Sequence, residues 1–158
     1  MSFFEINDYD ELYLSFNKTF NENLNALKMK TASITGSIIV TLALIFYSIG
    51  FAKERREKLA TSRILFFYSI GILLDITATI FMIIGSSKGL LTIHGFIGYS
   101  SLLGMLTDTF LLWKYNIKQG PVKEISKNLH LYSRIAYTWW VIAFITGGLL
   151  VALSKMSS

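Results

Sequence analysis

Four uninterrupted apolar runs limit what this 158-residue chain can become more than any other feature. Ala32 to Ala52 carries no charge, and Ile64 to Ser87 carries only Asp75. Leu90 to Trp113 contains His94 and Asp108, and Leu131 to Ser154 contains only Arg134. At about 1.5 Å rise per residue, each run is long enough to cross a hydrocarbon core of about 30 Å. Lipid offers the backbone no hydrogen-bond partners, so each run must satisfy its own amides as a helix. Buried helices of a water-soluble protein would keep polar outer faces, which these runs almost entirely lack. The expected fold is all-α, a four-transmembrane-helix bundle with spans of about 32–52, 64–87, 90–113 and 131–154. An N-terminal amphipathic helix over residues 1–30 precedes this 31–158 domain.

The composition points the same way. Only 16% of residues are charged, against about a quarter in soluble domains. Cysteine is absent, which excludes disulfides, thiolate metal sites, iron–sulfur clusters and cysteine nucleophiles. The net charge of +5 does not call for a nucleic-acid partner, because the basic residues sit between the apolar runs, where membrane topology places them. The expected partner is the lipid bilayer, with a second copy or another membrane protein left open. The first 30 residues include Glu5, Asp8, Asp10, Glu11 and Glu22 and lack a short apolar core after a basic start, so no cleavable signal peptide is expected.

Basic residues also set the expected orientation. Lys53, Arg55, Arg56, Lys58 and Arg63 follow the first run; Lys114, Lys118, Lys123, Lys127 and Arg134 surround the third connection. Lys18, Lys28, Lys30, Lys88 and Lys155 lie on the other side. The positive-inside rule then places loops 53–63 and 114–130 in the cytoplasm and both termini outside a multi-pass protein of the cell membrane. Ser86-Ser87-Lys88-Gly89 would join the second and third helices in a tight hairpin, and Gly120-Pro121 marks a turn.

In the N-terminal segment Tyr9, Tyr13, Phe16, Phe20, Leu24 and Leu27 recur at spacings of 4, 3, 4, 4 and 3, one face of a helix. Asp8, with Glu11 three residues later, fits a capping box. The net charge of residues 1–30 is −2, three Lys against five acids. The expectation is a helix in the outer interface or across the bundle mouth, held by its apolar face rather than by anionic lipid. Asn17-Lys18-Thr19 matches a glycosylation sequon. No internal repeat is expected.

The ionisable residues inside the runs need a reason, because a charge at bilayer depth costs several kcal/mol on insertion scales, about 2.5–3.5 for Asp. At 100° per residue Tyr68, Gly71, Asp75, Thr79 and Met82 share one helix face, as do His94, Gly98, Ser101, Met105 and Asp108. Both stripes mix small and polar residues on otherwise greasy helices, so both are expected to face the interior. Counted from the cytoplasmic ends, Asp108 lies about 9 Å deep and Asp75 about 16 Å deep, with His94 near the outer end. The candidate intramembrane polar site is therefore Asp75, His94, Asp108, Tyr68, Thr79 and Ser101.

Three functions stay open for it. Titratable groups in series could move or sense protons or a small solute. His94 could be an axial ligand of haem b in a redox protein; His94 and His130 lie at opposite ends, so they cannot share one iron. Neutral carboxyls bonded to hydroxyls could instead lock the helices of a structural or accessory subunit. No catalytic group and no metal site are expected, and the absence of any cofactor is the simplest expectation. Trp139 and Trp140 lie within their run and read as packing residues.

The stretch Ala43 to Leu150 resembles the HsmA-like family of small bacterial four-helix membrane proteins. The resemblance rests on Ala-Leu-Ile-Phe-Tyr-Ser-Ile-Gly at 43–50 with the following Glu54-Arg55-Arg56, and on Gly71-Ile-Leu-Leu-Asp75 through Met82. Ile93-His94 through Gly98-Tyr99, Trp139-Trp140 and Gly147 extend it. It implies the four-helix architecture and no established activity. In the family pattern a second histidine stands where this chain has Asp108, and residues 1–30 look like an addition to the family core.

Overall fold

The computed structural model describes residues 3–86, 92–121 and 123–156. These residues form four helices: α1 (Phe3–Glu57), α2 (Ser62–Ile84), α3 (Ile93–Gln119) and α4 (Lys127–Met156). Among the described residues no strand forms beyond one isolated bridge, Leu59 to Glu124. Three helical segments, 9–57, 62–84 and 93–119, are long and apolar enough to cross a membrane. The run at 131–154 lies within α4, whose 30 residues extend about 45 Å.

The N-terminal segment is not a separate helix. Residues 3–57 form one unbroken 55-residue α-helix, because neither Pro nor Gly occurs before Gly36 to interrupt the backbone ladder. Asp8 therefore lies inside the helix rather than capping it, which corrects that expectation. Nor does the stripe from Tyr9 to Leu27 cover the mouth of the packed helices: all six of its large side chains are exposed. Burial on α1 starts at Ala32 and recurs at Gly36, Ala43, Tyr47, Gly50 and Glu54, a single helical face.

That face packs against α2, the most extensive helix contact in the molecule, followed by α3 against α4. The α1–α2 contact is made by a repeat that was not anticipated. Phe-Tyr-Ser-Ile-Gly occurs at 46–50 and again at 67–71, each followed four residues later by an acid, Glu54 or Asp75. Antiparallel packing sets the two copies against each other, with Phe46 beside Phe67 (6.0 Å between ring centroids) and Tyr47 beside Tyr68 (6.3 Å). Each tyrosine ring lies on the other copy's glycine. A Cβ on Gly71 would sit 2.5 Å from the Tyr47 ring, and one on Gly50 would sit 3.1 Å from the Tyr68 ring. Glycine is what lets the two backbones come this close.

α2 stops at Ile84, where the Gly85 N–H donates to the Phe81 carbonyl at 2.9 Å. The span expected to reach Ser87 therefore ends earlier, at Ile84. Residues 87–91, including Lys88 and the expected span start at Leu90, lie outside the described residues. α3 opens on Thr92, whose hydroxyl accepts from the Gly95 N–H at 2.9 Å, an N-cap. It closes at Gly120, where φ is +80°, a conformation that glycine adopts without steric cost. The turn at Gly120-Pro121 follows.

At this end the two connections are joined. The Ile125 N–H donates to the Lys58 carbonyl at 2.8 Å. The Asn116 amide donates to the Ala60 carbonyl, and the Tyr115 hydroxyl to the Glu124 carbonyl. A single hydrophobic core runs from Ala60, Ile64 and Leu112 through Tyr47, Tyr68 and Met105 to Trp140. Outside it the helices present Ile80, Phe96, Phe110, Ile135 and Ile145, all more than half exposed. Apolar surface on that scale suits hydrocarbon, not water.

Candidate functional site

The repeat on α1 and α2 places an acid seven residues after each tyrosine, on the same helix face. Because the copies face each other, each tyrosine reaches the acid of the other copy. The Tyr68 hydroxyl donates to Glu54 Oε2 at 2.7 Å, and the Tyr47 hydroxyl points to Asp75 Oδ2 at 3.5 Å. The first distance is a strong bond and the second is at the outer limit of one.

One face of α4 completes both pairs. His130, Ser133, Tyr137 and Trp140 recur at spacings of 3, 4 and 3. His130 Nδ1 lies 3.0 Å from Glu54 Oε1, and Trp140 Nε1 donates to Asp75 Oδ2 at 2.6 Å. Tyr137 bonds Ser48 of the repeat at 2.8 Å. Ser133 Oγ lies 2.6 Å from Asp108 Oδ1 and also 3.2 Å from the Leu129 carbonyl.

The outcome is a buried polar network with two levels. Near the joined connections stand Glu54, Tyr68, His130, Ser133 and Asp108. Deeper lie Asp75, Tyr47 and Trp140. Glu54, Asp108, Ser133, Tyr47 and Tyr68 have no exposed surface. His130 is the member that meets the surroundings, its side chain a quarter exposed while its Glu54 partner is fully covered. Asp108 Oδ2 is buried with no hydrogen-bond partner among the described residues.

Of the residues expected at the site, the structure brings Asp75, Asp108 and Tyr68 into this network. Thr79 bonds the Asp75 carbonyl on its own helix at 2.8 Å, and Ser101 likewise bonds the Gly98 carbonyl at 2.8 Å. Their hydroxyls are thus spent on local backbone, and the ladder expected through them is not formed. His94 belongs to another contact. Its Nδ1 lies 3.3 Å from Thr146 Oγ1, and its Nε2 and Cε1 lie 2.9 Å from where a Cβ on Gly147 would be. With α4 pressed on that nitrogen, a porphyrin has no approach to Nε2, so His94 as packed does not fit haem ligation. Among the described residues no group of three His, Asp or Glu is placed to hold a metal ion.

Sequence reasoning missed Glu54, His130, Tyr47, Ser133 and Trp140. Glu54 sits in the charged run Lys53-Glu54-Arg55-Arg56, which reads as a solvated loop. The signals that were available are the repeated nine-residue pattern and the polar face of α4. Comparison with protein-family models, with curated proteins and with solved structures finds no match.

Proposed function

We propose that this chain is a four-span protein of the cell membrane that binds and releases protons at its buried carboxyl network, reached from the cytoplasm through His130. Both termini lie outside in this reading, and the joined connections, with ten of the fifteen basic residues around them, lie inside. The resemblance to the HsmA-like family agrees with the four spans. The observation that carries the reading is Asp108, which is fully buried, has one oxygen without a partner, and shares the network with a second buried acid, Glu54.

Hydroxyl chemistry gives the network two arrangements. Ser133 has one proton and two acceptors within reach. When Asp108 is neutral it donates to Ser133, which donates to Leu129. When Asp108 is ionised, Ser133 must turn its proton to Oδ1, giving up its side-chain bond to the Leu129 carbonyl, and Oδ2 is left charged and bare. A buried acceptor without a partner costs about 1–3 kcal/mol, more for a charged one, so protonation favours the tighter α3–α4 contact. Close packing around the acids favours a proton over any larger solute. Toward the outer end the α1–α2 contact is made by Gly36, Ala78 and Met82, which carry no titratable group, so along α1 and α2 no proton-carrying side chain continues the network outward.

Infrared difference spectra of detergent-solubilised protein over a pH series test this. A neutral-carboxyl band that grows as pH falls, and that is lost in Asp108→Asn, is expected. A band that is absent or unchanged at every pH would leave the acids as fixed helix locks and end the sensing role.

A further inference from the structure

The exposed stripe on the N-terminal half of α1 belongs to a longer seam. At 100° per residue, Tyr9, Tyr13, Phe16, Phe20, Leu24 and Leu27 lie about 150° from the buried α1 face that begins at Ala32. Ile34, Ile38, Ile45 and Ile49 continue the same line along the span, and all four are exposed as well. One apolar seam thus runs almost the length of α1, on the side turned away from the other helices.

In the membrane, lipid covers such a seam at no cost. Beyond it the situation differs. α1 first meets the end of α2 where Ser33 Oγ donates to the Gly85 carbonyl at 3.0 Å. Tyr9 stands about 35 Å further along the unbroken helix. There Tyr9, Tyr13 and Phe16 are 66–70% exposed and Phe20 is 52% exposed. Asp10, Glu11, Lys18, Glu22 and Lys28 all point away from the seam, at least about 75° from its midline. The neighbouring turns thus present a clean apolar strip with charged flanks.

We infer that a second copy of this chain covers the seam, the two α1 helices lying side by side and parallel. The parallel direction rests on the proposed membrane orientation, which gives both copies the same outward end. The pairs Tyr9–Phe20, Tyr13–Leu24 and Phe16–Leu27 are each eleven residues apart. That is 3.67 residues per turn, a period that keeps two helices in contact over this length with a slight right-handed coil. The four aromatic rings, roughly 150–250 Å² each and more than half exposed, offer roughly 500 Å² per copy. A pair would bury at most about 1,000 Å² there, the scale of a specific interface, before the span portion adds to it. An anionic lipid surface is the poorer occupant, because residues 1–30 carry net negative charge.

The chain has no cysteine of its own, so single substitutions report pairing directly. Phe20→Cys, Ile38→Cys and Asn25→Cys are oxidised separately in native membranes, and each sample is also extracted with alkaline carbonate. Cross-linked dimers at Phe20→Cys and Ile38→Cys, but not at Asn25→Cys on the opposite face, support the pairing. Retention in the membrane with monomers throughout, or equal cross-linking at Asn25→Cys, overturns it and leaves the spans untouched. Release by carbonate overturns the membrane reading, and cross-linking of the released Phe20→Cys protein then decides the pairing separately. Light scattering of the full chain in detergent gives a second readout. The doubly exposed Phe16→Glu/Phe20→Glu variant is expected to halve the protein mass, and an undiminished dimer would overturn the proposal.

Discussion

The two copies of the Phe-Tyr-Ser-Ile-Gly repeat have the same five residues, an acid at the same following position and the same cross-helix tyrosine, yet they meet different groups on α4. The α1 acid, Glu54, faces His130, a titratable side chain a quarter exposed. The α2 acid, Asp75, faces Trp140, an indole that is 3% exposed and can only donate. One short motif used twice therefore makes one acid that meets a partly exposed histidine and one that is sealed. The local sequence sets the tyrosine–acid geometry; α4 sets the surroundings of each acid.

Substitutions at the glycines should separate the copies most strongly. Gly71→Ala would put a methyl 2.5 Å from the Tyr47 ring, against 3.1 Å from the Tyr68 ring for Gly50→Ala. Overpacking of this kind costs about 1–3 kcal/mol, and Gly71→Ala is expected to lower Tm in detergent at least twice as far as Gly50→Ala. Equal losses would mean the two packings are not distinct. The α4 partners come next. Trp140→Phe leaves Asp75 with only its 3.5 Å contact to Tyr47, a loss of about 1–3 kcal/mol. His130→Phe leaves Glu54 its 2.7 Å bond to Tyr68 and should cost less stability while slowing the infrared response to a pH jump. A slower response in Trp140→Phe instead would reverse the assignment of open and sealed sites.

Double-mutant cycles sharpen the comparison further. Coupling of about 1 kcal/mol is expected between Tyr68→Phe and Glu54→Gln, and only a few tenths between Tyr47→Phe and Asp75→Asn, measured by unfolding in mixed micelles. The smallest effect belongs to Asp75→Asn alone. An amide oxygen can still accept from Trp140, so membrane accumulation should stay at the parental level on immunoblots; its collapse would show that Asp75 needs its acid form to fold.

How legible was all this in the chain? The apolar runs led directly to helices, because hydrocarbon leaves the backbone no alternative. Their ends were harder to read, since a helix continues past the lipid edge until a Gly85 or a Gly120 stops it. The stripe from Tyr9 to Leu27 was visible, but its union with α1 rests on the absence of a breaker before Gly36. Asp75 and Asp108 stood out as acids in greasy surroundings. Glu54 did not, because its neighbours Lys53, Arg55 and Arg56 are charged and only tertiary packing shows that its own face of α1 is covered. The polar face of α4 was overlooked because tyrosine, tryptophan and serine blend into an apolar run, whereas their spacing of 3, 4 and 3 does not. His94 drew attention through its chemistry, while its neighbour Gly147 decided its environment.

The stitching of the two connections bears on how the molecule is built. α1 and α2 share the broadest contact, with α3 and α4 next, so the molecule divides into two hairpins. The carbonyls of Lys58 and Ala60 on the earlier hairpin accept from Ile125 and Asn116 of the later one. Synthesis from the N-terminus makes the two acceptors before the two donors, so the second hairpin meets docking points that already exist.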